Sequence, residues 1–177
     1  IVQAVDRDFN LNRIERYLAI CHSGGVEPVI LLNKVDLIDA VRLSEMETQL
    51  TNRAGSIPLF ILSNATGQGI DQLEKTMVAG KTYCLLGSSG VGKSSLVNTL
   101  AGQNLMETSS ISTGSNRGRH ITTHRELIVL ESGAIVIDNP GMREVGLADV
   151  ADGLALTFDH ILEAANHCKF KDCTHTS

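Results

Sequence analysis

Two short motifs occur in an unusual order along this chain, and that order restricts the folds that it can adopt. The residues from Gly87 to Ser94 read GSSGVGKS, which fits the phosphate-loop pattern G-x-x-x-x-G-K-[ST]. The residues from Asn33 to Asp36 read NKVD, which fits N-K-x-D, a pattern that reads guanine. In an ordinary GTP-binding domain the phosphate loop comes first and the base reader follows. The reversed order therefore predicts a circularly permuted domain.

Apolar segments alternate with amphipathic segments on both sides of these motifs. Strands are predicted at Val2–Val5, Pro28–Leu32, Pro58–Leu62, Tyr83–Leu86, and as a pair at Glu126–Glu131 and Ala134–Ile137. Helices are predicted from Asn10, from Ser44 through Leu50, around Ile70 to Met77, and at Lys93–Leu100. Strands that alternate with helices predict the α/β fold of P-loop NTPases, a mostly parallel sheet between helices.

Two helix boundaries depend on local patterns. Ser44 and Glu47 form the capping-box pattern S-x-x-E, and we expect the second helix to begin there. Near the end of the chain, helical spacing predicts one amphipathic helix that carries Leu154, Phe158, Ile161, Leu162 and Ala165.

Composition narrows the class of protein further. With 177 residues, 42% of them hydrophobic and only 3% aromatic, the chain suits one globular domain with an aliphatic core. The net charge of −5 argues against a broad basic surface for nucleic acid, although Arg117, Arg119 and Arg125 crowd one loop. No apolar run approaches the roughly 20 residues that span a bilayer, so we expect a cytoplasmic protein. Because the chain begins at Ile1 rather than Met, we expect residues to precede it.

The two motifs assign roles to individual side chains. Lys93 is expected to reach the terminal phosphates, and the Ser94 hydroxyl is expected to ligate Mg²⁺; the alternative is a chance glycine-rich turn. Asp36 can accept hydrogen bonds from two guanine N–H groups, a donor pair that adenine lacks. Asn33 would contact the purine edge or brace neighbouring loops, while the Lys34 stem would cover the base.

A second loop is expected beside the base. Ser63-Asn64-Ala65 follows the predicted strand Pro58–Leu62 and resembles the second guanine loop, which usually reads Ser-Ala-Lys. Asn64 stands where alanine is usual, so backbone contacts to the base remain a plausible role for this loop. Alone, N-K-x-D could be a chance loop; next to a phosphate loop it predicts guanine binding.

A third motif would sense the γ-phosphate. Asp138-Asn139-Pro140-Gly141 fits D-x-x-G and directly follows an apolar strand. Asp138 would hold Mg²⁺ through water and the Gly141 N–H would lie near the γ-phosphate; the alternative is an ordinary Asn-Pro-Gly turn. Thr122, rather than its neighbour Thr123, is favoured to complete the magnesium shell, with a structural threonine as the alternative.

The group that activates water is an open question. Many GTPases place a glutamine directly after the D-x-x-G glycine, but this chain has Met142, which cannot polarise water. His120 lies two residues before Thr122 and is a candidate, because an imidazole can orient or deprotonate water near neutral pH. Contact with RNA or with solvent is the equal alternative for His120.

The last residues suggest a metal. Cys168, Cys173 and His175 are spaced C-x4-C-x-H, which suits structural zinc, and zinc prefers four ligands. The fourth ligand would lie just beyond Ser177, or His167 would replace it. Two buried cysteines and a surface histidine are the alternative.

The combination of these motifs is similar to the circularly permuted, ribosome small-subunit-dependent GTPase A family. The residues that carry the resemblance are Asn33–Leu37, Gly87–Ser95, Gly118–Leu127, Asp138–Arg143, and the terminal pair Cys168 and Cys173. Other permuted GTPases typically have asparagine where Gly90 stands, and they lack the terminal Cys/His cluster.

The resemblance implies a GTP hydrolase that binds GTP or GDP, Mg²⁺ and Zn²⁺, acts late in small ribosomal subunit assembly, and is stimulated by that subunit and its rRNA. It also implies a GTPase domain over residues 1–148, a truncated helical zinc segment over 149–177, and an N-terminal OB domain that this chain lacks. We expect a monomer that does not contact membranes. Asn139 departs from the usual threonine of D-T-P-G.

The sequence thus places the following residues around the nucleotide: Asn33, Lys34, Val35, Asp36, Ser63, Asn64, Ala65, Gly87, Ser88, Ser89, Gly90, Val91, Gly92, Lys93, Ser94, Ser95, Asp138 and Gly141. Lys93, His120 and Thr122 are the predicted catalytic residues. The alternative function is a nucleotide-gated switch that binds RNA or the ribosome and hydrolyses little GTP by itself.

Overall fold

Strands and helices alternate along a computed structural model that describes residues 1–6, 9–105, 126–139 and 151–167. The strands are β1 (Val2–Ala4), β2 (Ile30–Asn33), β3 (Leu59–Ile61), β4 (Thr82–Leu85), β5 (Glu126–Val129) and β6 (Ile135–Asp138). The helices are α1 (Leu11–Ser23), α2 (Ala40–Ala54), α3 (Ile70–Glu74), α4 (Lys93–Ala101), α5 (Ala151–Thr157) and α6 (Asp159–Asn166). A 3-10 turn covers Val35–Leu37.

The strands form two groups of three that lie side by side. β1, β2 and β3 pair in that order and are all parallel. In the second group the order is β4-β6-β5, with β4 parallel to β6 and β5 antiparallel to it. One main-chain hydrogen bond of 2.7 Å, from Val2 N to Leu86 O, joins β1 to the end of β4. The mostly parallel sheet is therefore confirmed, and the predicted strand pair is present as the antiparallel strands β5 and β6.

Side chains of β2 divide the core between two faces of the sheet. Leu31 packs in one cluster with Leu73 of α3 and Leu96 of α4. Its neighbours Ile30 and Leu32 belong to a second cluster, which contains residues of α1 and α2. Because alternate residues of a strand point to opposite faces, helices cover both faces, and such strands read as continuous apolar runs.

The second helix begins earlier than the capping box predicts. α2 begins at Ala40, and the Asp39 side chain caps it by accepting a hydrogen bond from Arg42 N. Ser44 lies inside the helix, where its carbonyl accepts a hydrogen bond from the Thr48 hydroxyl. The predicted start at Ser44 is wrong because Asp39 is an equally good cap and lies five residues upstream.

The C-terminal amphipathic segment forms two helices rather than one. α5 ends at Thr157 and α6 begins at Asp159, while Phe158 between them has φ −120° and ψ 35°. α5 packs so closely against α1 that a Cβ on Gly153 would lie 2.0 Å from Ala19 O. In the same contact the His22 Nδ1 atom lies 3.0 Å from the Thr157 hydroxyl. Among the described residues, no helix has both the length and the hydrophobicity required to cross a bilayer.

Candidate nucleotide-binding site

Three loops and one strand end meet at one edge of the sheet. The loop 33–36 follows β2, the loop 63–66 follows β3, and the phosphate loop follows β4. Asp138 is the last residue of β6 and pairs in register with Leu85 of β4. Because β2, β3, β4 and β6 are parallel, their carboxyl ends lie along the same edge, which is where open α/β sheets bind ligands.

The carboxylate of Asp36, which the sequence predicts to read guanine, is held by the neighbouring loop. The Ser63 hydroxyl donates a hydrogen bond of 2.5 Å to Asp36 Oδ1. Ser63 is completely buried, and its oxygen also accepts a hydrogen bond of 3.2 Å from Thr66 N. Asp36 itself is exposed. Ser63 thus orients the Asp36 carboxylate through Oδ1, and the carboxylate stays accessible to a ligand.

Lys34 is held in an unusual backbone conformation. Its φ of 65° is the one positive value at a non-glycine residue in the described part of the chain. Its ammonium group forms an ion pair of 2.9 Å with Asp6, in the loop after β1. This ion pair links the loop after β2 to the loop after β1.

Asn33 and Asn64 connect the base loops to the phosphate loop. The Asn33 side chain is buried and donates a hydrogen bond of 2.8 Å from Nδ2 to Val91 O. This contact supports the alternative in which Asn33 braces neighbouring loops. Asn64 donates a similar bond of 3.0 Å from Nδ2 to Gly92 O. Val35 is buried in the core cluster that contains residues of α1 and α2, whereas Ala65 is exposed.

Gly92 must be a glycine at the place where these loops meet. Its φ is 97°, a conformation that residues with a side chain rarely adopt. A Cβ at this position would lie 2.3 Å from Asn33 Nδ2. Any larger residue would therefore separate the base loops from the phosphate loop.

Lys93 lies across the inside of the phosphate loop. Its Nζ donates hydrogen bonds of 3.0 Å to both Gly87 O and Ser88 O. Burial lowers the pKa of Lys93, and the nearby Asp138 charge opposes that shift. An ammonium group has three N–H donors, so one is left for a phosphate oxygen.

Ser94 and Asp138 fit a magnesium ion. The Ser94 hydroxyl donates a hydrogen bond of 3.1 Å to Asp138 Oδ2. Asp138 is completely buried, and its Oδ1 atom has no hydrogen-bond partner among the described residues. Burial raises the pKa of Asp138, although the Ser94 hydrogen bond and the Lys93 charge lower it. A buried carboxylate oxygen without a donor, next to a hydroxyl, is the ligand chemistry that Mg²⁺ prefers.

Two contacts at the site had no signal in the sequence. Arg13 on α1 donates a hydrogen bond of 3.1 Å from Nη1 to the Ser88 hydroxyl of the phosphate loop. Asn139 donates from Nδ2 to Cys84 Sγ at 2.7 Å, so its side chain points toward β4. Neither pair is close in sequence, since 75 and 55 positions separate the partners.

Several predicted site residues lie outside the described part of the chain. They are His120, Thr122, Gly141, Cys168, Cys173 and His175. Within the described ranges, no group of three or more His, Cys, Asp or Glu residues is arranged to hold a metal. His167 is described, and its Nδ1 lies 2.8 Å from Glu163 O on an exposed turn.

Comparison with known proteins places this geometry in a family. The sequence model of the RsgA GTPase family matches residues 1–148. The "Small ribosomal subunit biogenesis GTPase RsgA" of Methanosarcina acetivorans is 48% identical over 176 residues, which cover 99% of this chain and 47% of that protein. "Small ribosomal subunit biogenesis GTPase RsgA 1" of Listeria innocua is 45% identical and covers 100% of this chain and 51% of its own length. The chain thus spans about half the length of the curated relatives that it matches.

Solved structures agree with the sequence comparison. YjeQ from Thermotoga maritima superimposes with a TM-score of 0.66 at 27% identity, over 99% of this chain and 58% of that one. YloQ, which is described as a circularly permuted GTPase, superimposes with a TM-score of 0.61 at 26% identity, over 99% of this chain and 57% of that one. The permuted P-loop fold predicted from the reversed motif order is confirmed. The chain belongs to the RsgA GTPase family.

Proposed function

We propose that this chain binds guanine nucleotide with Mg²⁺ and hydrolyses GTP, and that the activity serves late maturation of the small ribosomal subunit. The observation that carries the proposal is the meeting of three loops and the end of β6, which brings Asp36, Lys93 and Asp138 to one edge of the sheet. The names of the relatives, which are small ribosomal subunit biogenesis GTPases, support the biological role.

Each part of the site has a chemical task in this proposal. Asp36 accepts hydrogen bonds from guanine, which excludes adenine. The loop amides and Lys93 stabilise charge on the phosphates, as phosphoryl transfer requires. Ser94 and Asp138, with Thr122, would hold Mg²⁺, which would neutralise charge that develops on the phosphate oxygens.

His120 is our candidate for the group that orients or deprotonates water. Met142 occupies the position after the D-x-x-G glycine and has no polar atom for this task. If His120 acts on water, His120→Ala should lower turnover stimulated by small subunits while leaving GTP affinity unchanged. Full stimulated turnover in that variant would remove His120 from the mechanism.

The primary test measures phosphate release from GTP and from ATP, with and without purified small ribosomal subunits. We expect Mg²⁺-dependent release from GTP, a clear increase on addition of subunits, and no comparable release from ATP. Equal rates with the two nucleotides would contradict the role of Asp36. An unchanged GTP rate with subunits would contradict their stimulation of this chain.

A second candidate function is a nucleotide-gated switch that binds RNA or the ribosome and hydrolyses little GTP. Met142, in place of a glutamine that orients water, favours this candidate. Single-turnover rates separate the two functions. A hydrolysis rate that stays negligible even with saturating subunits, together with GTP-dependent binding to them, would support the switch.

We also propose that residues 149–177 belong to a zinc-binding segment that follows the GTPase domain of residues 1–148. The spacing of Cys168, Cys173 and His175 supports the metal, and the close approach of Gly153 on α5 to Ala19 on α1 supports a segment that begins next to the GTPase domain. Metal analysis of the purified protein should give about one zinc per chain. As a partner of small subunits, the protein should act in the cytoplasm, and light scattering should show a monomer.

A further inference from the structure

Two consecutive carbonyl groups of the phosphate loop are held by asparagine side chains from two different loops. Asn33 Nδ2 donates to Val91 O at 2.8 Å, and Asn64 Nδ2 donates to Gly92 O at 3.0 Å. Both neighbours are carbonyl oxygens, which only accept hydrogen bonds. The amide nitrogen of each asparagine, rather than its oxygen, must therefore face the loop.

The two asparagines reach the same point of the loop from one side. A Cβ built on Gly92 would lie 2.3 Å from Asn33 Nδ2 and 3.1 Å from Asn64 Nδ2. Gly92 O also accepts the first hydrogen bond of α4, from Leu96 N at 2.9 Å. The carbonyl of Gly92 is therefore fixed by two donors, one in the helix and one in the loop 63–66.

The orientation of these carbonyls determines where the following N–H groups point. In a trans peptide the C=O and N–H bonds are antiparallel, and the described part of the chain has no cis peptide. Because Gly92 O points toward Asn64, the Lys93 N–H points away from it. That N–H belongs to the first turn of α4, where backbone donors have no partner in the helix and bind anions.

We propose that Asn64 is a positioning residue for the phosphate-binding N–H of Lys93. Asn33 holds Val91 O and thereby orients the N–H of Gly92. Asn64 holds Gly92 O and thereby orients the N–H of Lys93. The second guanine loop usually carries alanine at this position, so Asn64 adds a brace that an alanine could not provide. The inference rests on the proposed function only in taking the phosphate of a guanine nucleotide as the ligand.

The test measures the affinities of two nucleotides, GDP and IDP, for the unsubstituted chain and for Asn64→Ala. IDP lacks the 2-amino group that Asp36 would read. Loss of one neutral hydrogen bond should weaken both nucleotides by about fivefold. The ratio of the two affinities should stay unchanged, because Asn64 acts on the phosphate side. Asn64→Asp has the same shape but places an acceptor against Gly92 O, so its loss should exceed that of Asn64→Ala.

Asn52→Ala, an exposed asparagine on α2, is the matched control and should bind both nucleotides like the unsubstituted chain. Unchanged GDP affinity in Asn64→Ala or Asn64→Asp would overturn the proposal. So would a loss confined to GDP, because it would make Asn64 a base contact. Failure of the unsubstituted chain to bind GDP would instead contradict the proposed function.

A measurement on the unsubstituted chain guards against variants that do not fold. One carboxamide proton of Asn64 should exchange with solvent more slowly than the other, since it is bonded to Gly92 O. Equally rapid exchange of both protons would overturn the brace whatever the variants do.

Discussion

The base side of the site and its phosphate side are organised differently. On the base side, formed by loops 33–36 and 63–66, the reading carboxylate of Asp36 is held by Ser63 but stays exposed. On the phosphate side, formed by residues 87–94 and Asp138, Lys93 and Asp138 are buried and Ser94 is half-buried. These side chains are bonded to the protein: Lys93 to two carbonyls, and Ser94 to Asp138.

The difference indicates what each side determines. A ligand can meet Asp36 without breaking a bond inside the protein, so substitutions on the base side should change which base is bound. A phosphate or a metal must compete with internal bonds of Ser94 and Asp138. Substitutions on the phosphate side should therefore change affinity and hydrolysis for every base alike.

The largest effect is expected for Lys93→Ala, on the phosphate side. Removal of the buried ammonium group takes away charge stabilisation of the transferring phosphate and should lower kcat/KM for GTP by about 10²–10³-fold. Steady-state phosphate release measures it. Lys81→Ala, an exposed lysine just before β4, is the control and should keep the original rate. A Lys93→Ala rate within tenfold of the original would contradict the assigned role.

Asp36→Asn should have the next largest effect and should change specificity. A carboxamide presents one acceptor and one donor, which mismatches the two donors of guanine but matches xanthine. GDP affinity should fall by about a hundredfold while XDP affinity rises. Competition binding with the two nucleotides measures both. Asp39→Asn removes a carboxylate three residues away, where asparagine caps α2 equally well, and should change neither affinity.

On both sides, the sequence predicts the ligand-binding side chains but not the contacts that hold them in place. Lys93, Ser94 and Asp36 follow from motifs, because phosphate and guanine recognition require those residue types at fixed spacing. The helix start at Ser44 and the unbroken helix through Phe158 are wrong, because Asp39 competes as a cap and helical spacing continues across a break of one residue. Arg13 and the bond from Asn64 to Gly92 depend on partners distant in sequence, which no local pattern encodes.

Ser63→Ala tests whether the base side is held in place before a ligand arrives. The Ser63 hydroxyl bonds to a charged group, and such bonds are stronger than neutral ones, so GDP affinity should fall by about tenfold. IDP makes one hydrogen bond fewer to Asp36, so its affinity should fall less than that of GDP. The ratio of GDP affinity to IDP affinity should therefore also fall. Isothermal titration measures both. Ser56→Ala, at an exposed serine before β3, is the control. Equal losses for GDP and IDP would place Ser63 outside base recognition.

The smallest effect is expected for Arg13, which supports the phosphate side from α1. The Arg13 guanidinium donates a hydrogen bond to the buried Ser88 hydroxyl, and the Ser88 carbonyl accepts one from Lys93. Two hydrogen bonds through Ser88 thus connect Arg13 to the Lys93 ammonium group. Arg13→Ala should weaken GDP and IDP equally, by about threefold.

A double-mutant cycle with Ser88→Ala identifies the cause of that loss. If the hydrogen bond between the two side chains accounts for the loss, the second substitution removes nothing further, and the coupling energy should equal the single loss, about 0.7 kcal/mol for a threefold change. Arg16, on the same helix, donates from Nε to the carbonyl of Asn12, and Arg16→Ala should not couple to Ser88. Additive losses in Arg13→Ala/Ser88→Ala would mean that α1 supports the loop through packing alone. A fall in the ratio of GDP affinity to IDP affinity in Arg13→Ala would mean that the phosphate side also influences the choice of base. That result would remove the distinction between the two sides.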